Sequence, residues 1–183
     1  MEHIWEWRGC LTKEVCDTLI ERFYKVDEEH VATVGVGEGS LKDPSYRKTD
    51  VCWIPKEEYI SNFLFSRALI ANQKAEWWFD IEDYEPVQIG KYEEGGHYDW
   101  HKDETFYSRL KSNHRKVSVV VFLSDPATYE GGDLLMHIVG ETKLEAPLGS
   151  IICFPSELVH KVTPVTKGVR YSLALWAYGP HMR

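Results

Sequence analysis

The spacing of hydrophobic positions changes near residue 87. Before that point Val15, Leu19, Ile20 and Phe23 fall on one stripe at helical spacing behind Thr12, so an amphipathic helix is predicted over about 13–25, capped by the threonine. A second stripe of Tyr59, Ile60, Phe63, Leu64, Ala68 and Leu69 follows Pro55. With Glu57 and Glu58 at its positive N-terminal end, it predicts a helix over about 56–74. After residue 87 the runs shorten and lose the helical period. Val87–Tyr92, His97–His101, Val117–Leu123, Leu134–Ile138, Ser150–Phe154 and Val169–Tyr178 read as strands, punctuated by Gly, Pro and Asp. The run Val117–Leu123 is apolar enough to be buried on both faces, as in a sandwich or barrel.

The expected architecture is mainly β with supporting N-terminal helices (α+β), the strands forming a jelly roll, or double-stranded β-helix. Neither an internal repeat nor a low-complexity linker interrupts the chain, so one domain is expected over 1–183. Residues 1–84 would supply helical support and a loop region, and 85–178 the barrel. The glycine-rich run Gly35–Ser40 leads into Asp43-Pro44 instead of a helix. It therefore predicts a loop over 34–43, a candidate lid, rather than a phosphate cradle. Lys111–Lys116, KSNHRK, reads as a solvated turn, with a substrate-docking patch as the alternative.

Composition narrows the classes. A formal charge of -8 disfavours sequence-independent binding to nucleic acid or anionic membranes. Cys10, Cys16, Cys52 and Cys153 make no CxxC pair, and Cys153 lies in an apolar run, so free, buried thiols are expected. The first residues lack the basic and apolar regions of a signal peptide, and no apolar stretch approaches membrane-spanning length. A soluble, reducing and cytoplasmic setting is the expectation.

The candidate chemistry lies in Tyr92-x-x-Gly95-x-x-Tyr98-x-x-His101-x-Asp103, with His160 and Arg170 further on. Two imidazoles and one carboxylate on one side of a metal form the facial triad of non-haem Fe(II) oxygenases, which leaves the opposite coordination positions open. His101 and Asp103 are two residues apart and share a strand face, but so are His97 and Asp99, and parity alone does not choose between the pairs. His160 follows an apolar strand and turn that aim it inward. Arg170 sits in a strand whose other residues look buried, and a buried guanidinium needs a carboxylate. An internal salt bridge would supply one; so would 2-oxoglutarate, whose other end can reach iron.

Together these blocks resemble the Fe(II)- and 2-oxoglutarate-dependent oxygenases of the prolyl 4-hydroxylase-like superfamily, especially bacterial PKHD-type hydroxylases. The resemblance spans roughly residues 85–178. It rests on Tyr92 to Asp103, on FLSDP at Phe122–Pro126 with YEGGDL at Tyr129–Leu134, and on FPS at Phe154–Ser156 through His160 and Thr166 to Arg170. In that family a tyrosine precedes the metal histidine by nine or ten positions, which implies His101 and Asp103 as ligands, with His160 as the third. The resemblance further implies that Arg170 binds the distal carboxylate of 2-oxoglutarate, that Tyr92 lines the cosubstrate pocket, and that Trp176 packs near it. Related enzymes often share the distal carboxylate with a tyrosine on the strand after His-x-Asp. Here Val121 is expected at that place, with Ser172 either supplying the missing hydroxyl or satisfying a neighbouring backbone group.

The implied cofactor is Fe(II), with 2-oxoglutarate and O2 as cosubstrates and ascorbate as reductant. The implied reaction is hydroxylation of an unactivated C–H bond with succinate and CO2 as coproducts. Asp103 occupies the position that iron halogenases leave for chloride, which favours hydroxylation. A prolyl residue in a peptide or protein is the expected substrate, and a free amino acid or other small molecule is the alternative. A non-catalytic β-barrel module holding Zn(II) is the competing class, while Trp176 stands where nucleic-acid demethylases of related type carry a second arginine. Residues 30–55, including Tyr46, Arg47, Asp50 and Trp53, either complete the fold or form a wall of the substrate site.

Overall fold

The computed structural model describes residues 2–24, 43–104 and 114–180. Two antiparallel sheets face each other, and two helices cover the back of the larger one. The larger sheet runs in the order β1 (Trp5–Trp7), β11 (Ile151–Pro155), β7 (His114–Phe122), β14 (Arg170–Gly179), β5 (Val87–Tyr92) and β3 (Asp50–Ile54), with β4 (Asp83–Tyr84) also paired to β14. The smaller runs β10 (Glu141–Leu144), β9 (Leu134–His137), β12 (His160–Val162), β6 (His97–His101) and β2 (Arg47–Lys48); β8 (Tyr129–Gly131) pairs with β13 (Val165–Gly168).

Strand alternation assigns the two faces of the larger sheet. Val117, Val119 and Val121 of β7 and Leu173, Leu175 and Ala177 of β14 pack with Leu64, Ala68 and Ala71 of α2 (Tyr59–Lys74) and Cys16 and Leu19 of α1 (Lys13–Phe23). On the other face Tyr92, Phe122, Ile152 and Phe154 meet Leu134, Met136 and Val162 of the smaller sheet. This second, thinner core contains the chemistry.

Both helices form where the stripes predicted, with shifts that packing explains. Thr12 caps α1 by accepting from the Val15 N–H, and the helix ends at Phe23; residue 25 lies outside the described residues. Val15 is exposed, because Cys16 fills the buried stripe with Leu19. The second helix begins at Tyr59, with Glu58 as its cap residue, and buries Ile60, Leu64, Ala68 and Ala71. Tyr59 and Leu69, expected on that stripe, are exposed, and Tyr59 stacks on Phe63. The 1–84 region also contributes β1 to β4 to the sheets, strands mostly too short to show a period in sequence.

The expected solvated turn Lys111–Lys116 is corrected in its second half. His114–Lys116 open β7, with His114 and Lys116 buried. Pairing offsets the cost of enclosing these charges: Glu104 takes the His114 Nδ1 at 2.9 Å and the Arg115 N–H at 2.8 Å, and Arg115 makes a forked pair with Glu85 at 2.5 and 2.7 Å. Residues 111–113 and the glycine-rich loop 34–42 lie outside the described residues.

Candidate metal and cosubstrate site

His101 ends β6, Asp103 follows two residues later, and His160 opens β12 directly opposite His101 in the register of the smaller sheet. Their ligand atoms lie within 4.8 Å of one another. His101 Nε2 stands 3.7 Å from Asp103 Oδ1, and His160 Nε2 stands 3.6 Å from Asp103 Oδ2. These separations are too long for good hydrogen bonds and leave room for a shared cation.

Two backbone carbonyls orient the rings. His101 Nδ1 donates to Asp99 O at 2.7 Å, and His160 Nδ1 donates to Leu158 O at 2.9 Å; a carbonyl can only accept, so each Nδ1 carries the proton. Each Nε2 faces Asp103, the arrangement that metal-binding histidines use. Burial and the neighbouring His160 push the His101 imidazole well below the usual histidine range, which keeps it neutral at physiological pH. Burial opposes the charge on Asp103, but its polar surroundings, the Arg115 guanidinium and the Ser118 hydrogen bond among them, outweigh it and hold the carboxylate ionised.

A β-bulge resolves the duplicate His-x-Asp. Val162 pairs with Tyr98 and His160 with His101, so three steps on β6 face two on β12. The extra residue brings Tyr98 and His101 to the same face, their rings stacked 3.5 Å apart. His97 lies outside that group, its ring nitrogens on Gly95 O and Ser45 O, and Asp99 is exposed, accepting from the Trp100 N–H.

On the larger sheet, Arg170 opens β14 opposite Tyr92 of β5. It is only 1% exposed, yet its one hydrogen bond among the described residues is to the Ser172 hydroxyl at 3.2 Å, its Nε has no partner, and no described acid pairs with it. The guanidinium lies 5.1 Å from the Tyr92 ring centre and 5.6 Å from that of Phe122. Gly132 makes room for its stem: a Cβ there would sit 2.9 Å from Arg170 Cδ. An enclosed cation with a missing partner fits an anion arriving from solution. On the same face Val120 and Ala174, opposite each other on central strands, stay partly accessible, and Gly90, Ser172 and Ala174 are small.

Two expectations change here. Val121 does not face the site; it is fully buried against the helices, and the β7 residue beside Arg170 is Phe122, which carries no hydroxyl. Trp176 shares the face of Arg170 but lies six residues along β14, about 20 Å away at strand rise. It sits level with Ser118, beneath the Arg115 guanidinium at 4.1 Å and beside Trp53. Ser118 and Ser156 escaped the sequence reading. Ser118 Oγ donates to Asp103 Oδ2 at 2.6 Å and lies 2.9 Å from Ser156 Oγ. The clue was one polar residue in the otherwise apolar VSVVVFL.

These residues suit a divalent ion with N2O ligation and open positions, and an organic dianion reaching from it to Arg170. Among the described residues the cluster has three ligands, not the four of a closed zinc site.

Comparison with known proteins agrees. The sequence model of the 2OG-Fe(II) oxygenase superfamily matches residues 87–178. A PKHD-type hydroxylase of Janthinobacterium sp. (strain Marseille) is 40% identical over 97 residues, covering 51% of this chain and 43% of the relative. One from Thermosynechococcus vestitus is 34% identical over 123 residues, covering 66% and 55% respectively. The chain thus spans about half the length of these relatives. In fold it is similar to a Pseudomonas putida prolyl-4-hydroxylase (TM-score 0.73, 20% identity, 99% of this chain and 95% of the other). It is also similar to a Trichoplax adhaerens prolyl hydroxylase solved with a hypoxia inducible factor peptide fragment (TM-score 0.70, 16% identity, 96% and 83%).

Proposed function

Because the chain belongs to the 2OG-Fe(II) oxygenase superfamily, we propose that it hydroxylates an unactivated C–H bond of a prolyl residue in a peptide or protein. In this reading 2-oxoglutarate and O2 are consumed, and succinate and CO2 are released. His101, Asp103 and His160 hold Fe(II), and Arg170 takes the distal carboxylate of 2-oxoglutarate. Bound iron and cosubstrate supply the oxidising power. The chain supplies placement. Two carbonyls fix the imidazoles, Asp103 contributes the one negative charge of the ligand set, and Ser118 occupies one carboxylate oxygen so that the other is free for the metal. Tyr92 and Phe122 wall the Arg170 end against water, and Ser172 offers the distal carboxylate a hydroxyl in place of the absent tyrosine. Ascorbate serves as reductant, and the setting is a reducing, cytoplasmic one.

The observation that carries the proposal is the combination of a buried Arg170 that no described acid pairs with and the clustered ligand atoms of His101, Asp103 and His160. A panel of prolyl peptides, free proline and other amino acids, incubated with Fe(II), 2-oxoglutarate and ascorbate, tests it by mass spectrometry. A one-oxygen gain on a prolyl peptide is expected; a gain confined to free amino acids would overturn the peptide assignment.

Ser118→Ala is expected to weaken Fe(II) binding by about 10–100-fold, the usual effect of losing a group that orients a ligand. Ser118→Thr keeps the hydroxyl and most of the affinity. Anaerobic titration against a competing chelator measures both.

A further inference from the structure

Among the described residues, Arg170 is one of two arginines without an acid partner on the side of the larger sheet away from the helices. Among the described arginines, Arg8, Arg22 and Arg115 pair with glutamates, and Arg67 lies over Phe63 and Trp7 on the helical side. Arg47 is the other. It stands opposite Tyr98 in the β2–β6 register, and its guanidinium lies 4.5 Å from the Tyr98 ring centre. That ring stacks on His101, so a single aromatic layer separates the cation from a proposed metal ligand.

Arg47 is also held in place. Its Nη2 donates to Gln88 Oε1 at 2.6 Å, which ties β2 of the smaller sheet to β5 of the larger. Gln88 is the register partner of Trp53, which is 51% exposed, and Trp53 lies 6.5 Å from Trp176. Arg47 Nε is shielded from solvent and has no hydrogen-bond partner. A fixed, incompletely satisfied guanidinium thus stands near an exposed indole, Trp53, which the buried Trp176 backs. Asp50, which the sequence reading grouped with these residues, shares the face of Cys52 and Ile54 toward the helices.

We propose that Arg47 is the substrate-recognition cation of this site and takes a carboxylate of the substrate, while Trp53 and Trp176 cover the apolar part next to it. This rests on the oxygenase reading above. A carboxylate accepting from the N–H groups left over by Gln88 completes the guanidinium as a charge-assisted pair, which an amide or hydroxyl does more weakly. The carboxylate comes either from an acidic side chain or from a chain terminus or free acid.

The test uses the full chain with Fe(II), 2-oxoglutarate and O2, and matched probes: prolyl peptides with internal Asp or Asn, the same peptides ending in a carboxylate or an amide, and free proline against prolinamide. Substrate-stimulated succinate formation is measured for the wild type, Arg47→Gln and Arg47→Lys. The expected result is a preference of about 10–100-fold in kcat/KM for one carboxylate over its neutral partner. That preference should collapse toward parity in Arg47→Gln and partly survive in Arg47→Lys, and the favoured pair identifies the source. Near-ultraviolet circular dichroism verifies that each variant is folded. A wild type indifferent to the carboxylate, or a preference unchanged in Arg47→Gln, overturns the proposal. So does a wild type that turns over 2-oxoglutarate alone yet is stimulated by none of the acids; the oxygenase reading survives all three results. A wild type that forms no complex with Fe(II) and 2-oxoglutarate sinks that reading instead, and this one with it.

Discussion

Asp103→Ala abolishes succinate formation and weakens Fe(II) binding by more than about 100-fold, the upper end of what losing a mere orienting group costs. The size follows from the composition of the site. His101 is held neutral by burial and by His160, so Asp103 is the one anionic member of the cluster. Its removal leaves two imidazoles and no anionic ligand for a divalent ion. Folding without metal should be little affected, since the substitution deletes a buried charge and Ser118 keeps Ser156 as a hydrogen-bond neighbour. Anaerobic Fe(II) titration, a succinate assay and thermal melting of the apo-protein separate these effects. Full turnover by the variant refutes the ligand assignment.

Arg170→Ala produces the second large effect, of a different kind. The 2-oxoglutarate concentration for half-maximal succinate formation rises on the order of 100-fold, matching the loss of about 3 kcal/mol from two hydrogen bonds to a carboxylate. Fe(II) affinity measured without 2-oxoglutarate stays near that of the wild type, because Arg170 touches Tyr92, Phe122 and Ser172 rather than the ligands. Were Arg170 only structural, the substitution would lower the melting temperature and leave the 2-oxoglutarate dependence alone. Arg170→Met retains much of the packed stem and should share the kinetic defect.

Strand parity made part of the candidate site legible, while family likeness made the choice of His101 and Asp103 over His97 and Asp99. His101 and Asp103 had to be near each other, His160 had to enter from a second strand, and a guanidinium inside an apolar strand had to seek an anion. Parity fails where a strand is irregular. The extra residue between Tyr98 and His101 cannot be seen in HYDWH, and it is what separates His101 from His97 and lays Tyr98 on the ligand ring. The placement of Val121 failed for a related reason. A strand apolar on both sides does not announce which face meets the helices, and an error of one residue exchanges Val121 for Phe122. Ser118 held that information, since its hydroxyl had to meet a polar partner in the interior.

The KSNHRK segment shows the limit of reading charge as exposure. His114 and Lys116 are enclosed, and the partners of His114 and Arg115, Glu104 and Glu85, lie ten and thirty residues before them. Nothing local signals such long-range pairing. Trp176 was placed at the Arg170 end on family likeness, whereas its register puts it level with Ser118 and beside Trp53.

The most direct test of the account is an anaerobic titration of the metal-free protein with Fe(II) and 2-oxoglutarate, followed by visible absorption. A weak charge-transfer band should develop only when both are present, vanish in Asp103→Ala, and demand far more 2-oxoglutarate in Arg170→Ala. No band in the wild type, or an undiminished band in Asp103→Ala, contradicts the convergence of His101, Asp103 and His160 on a single iron.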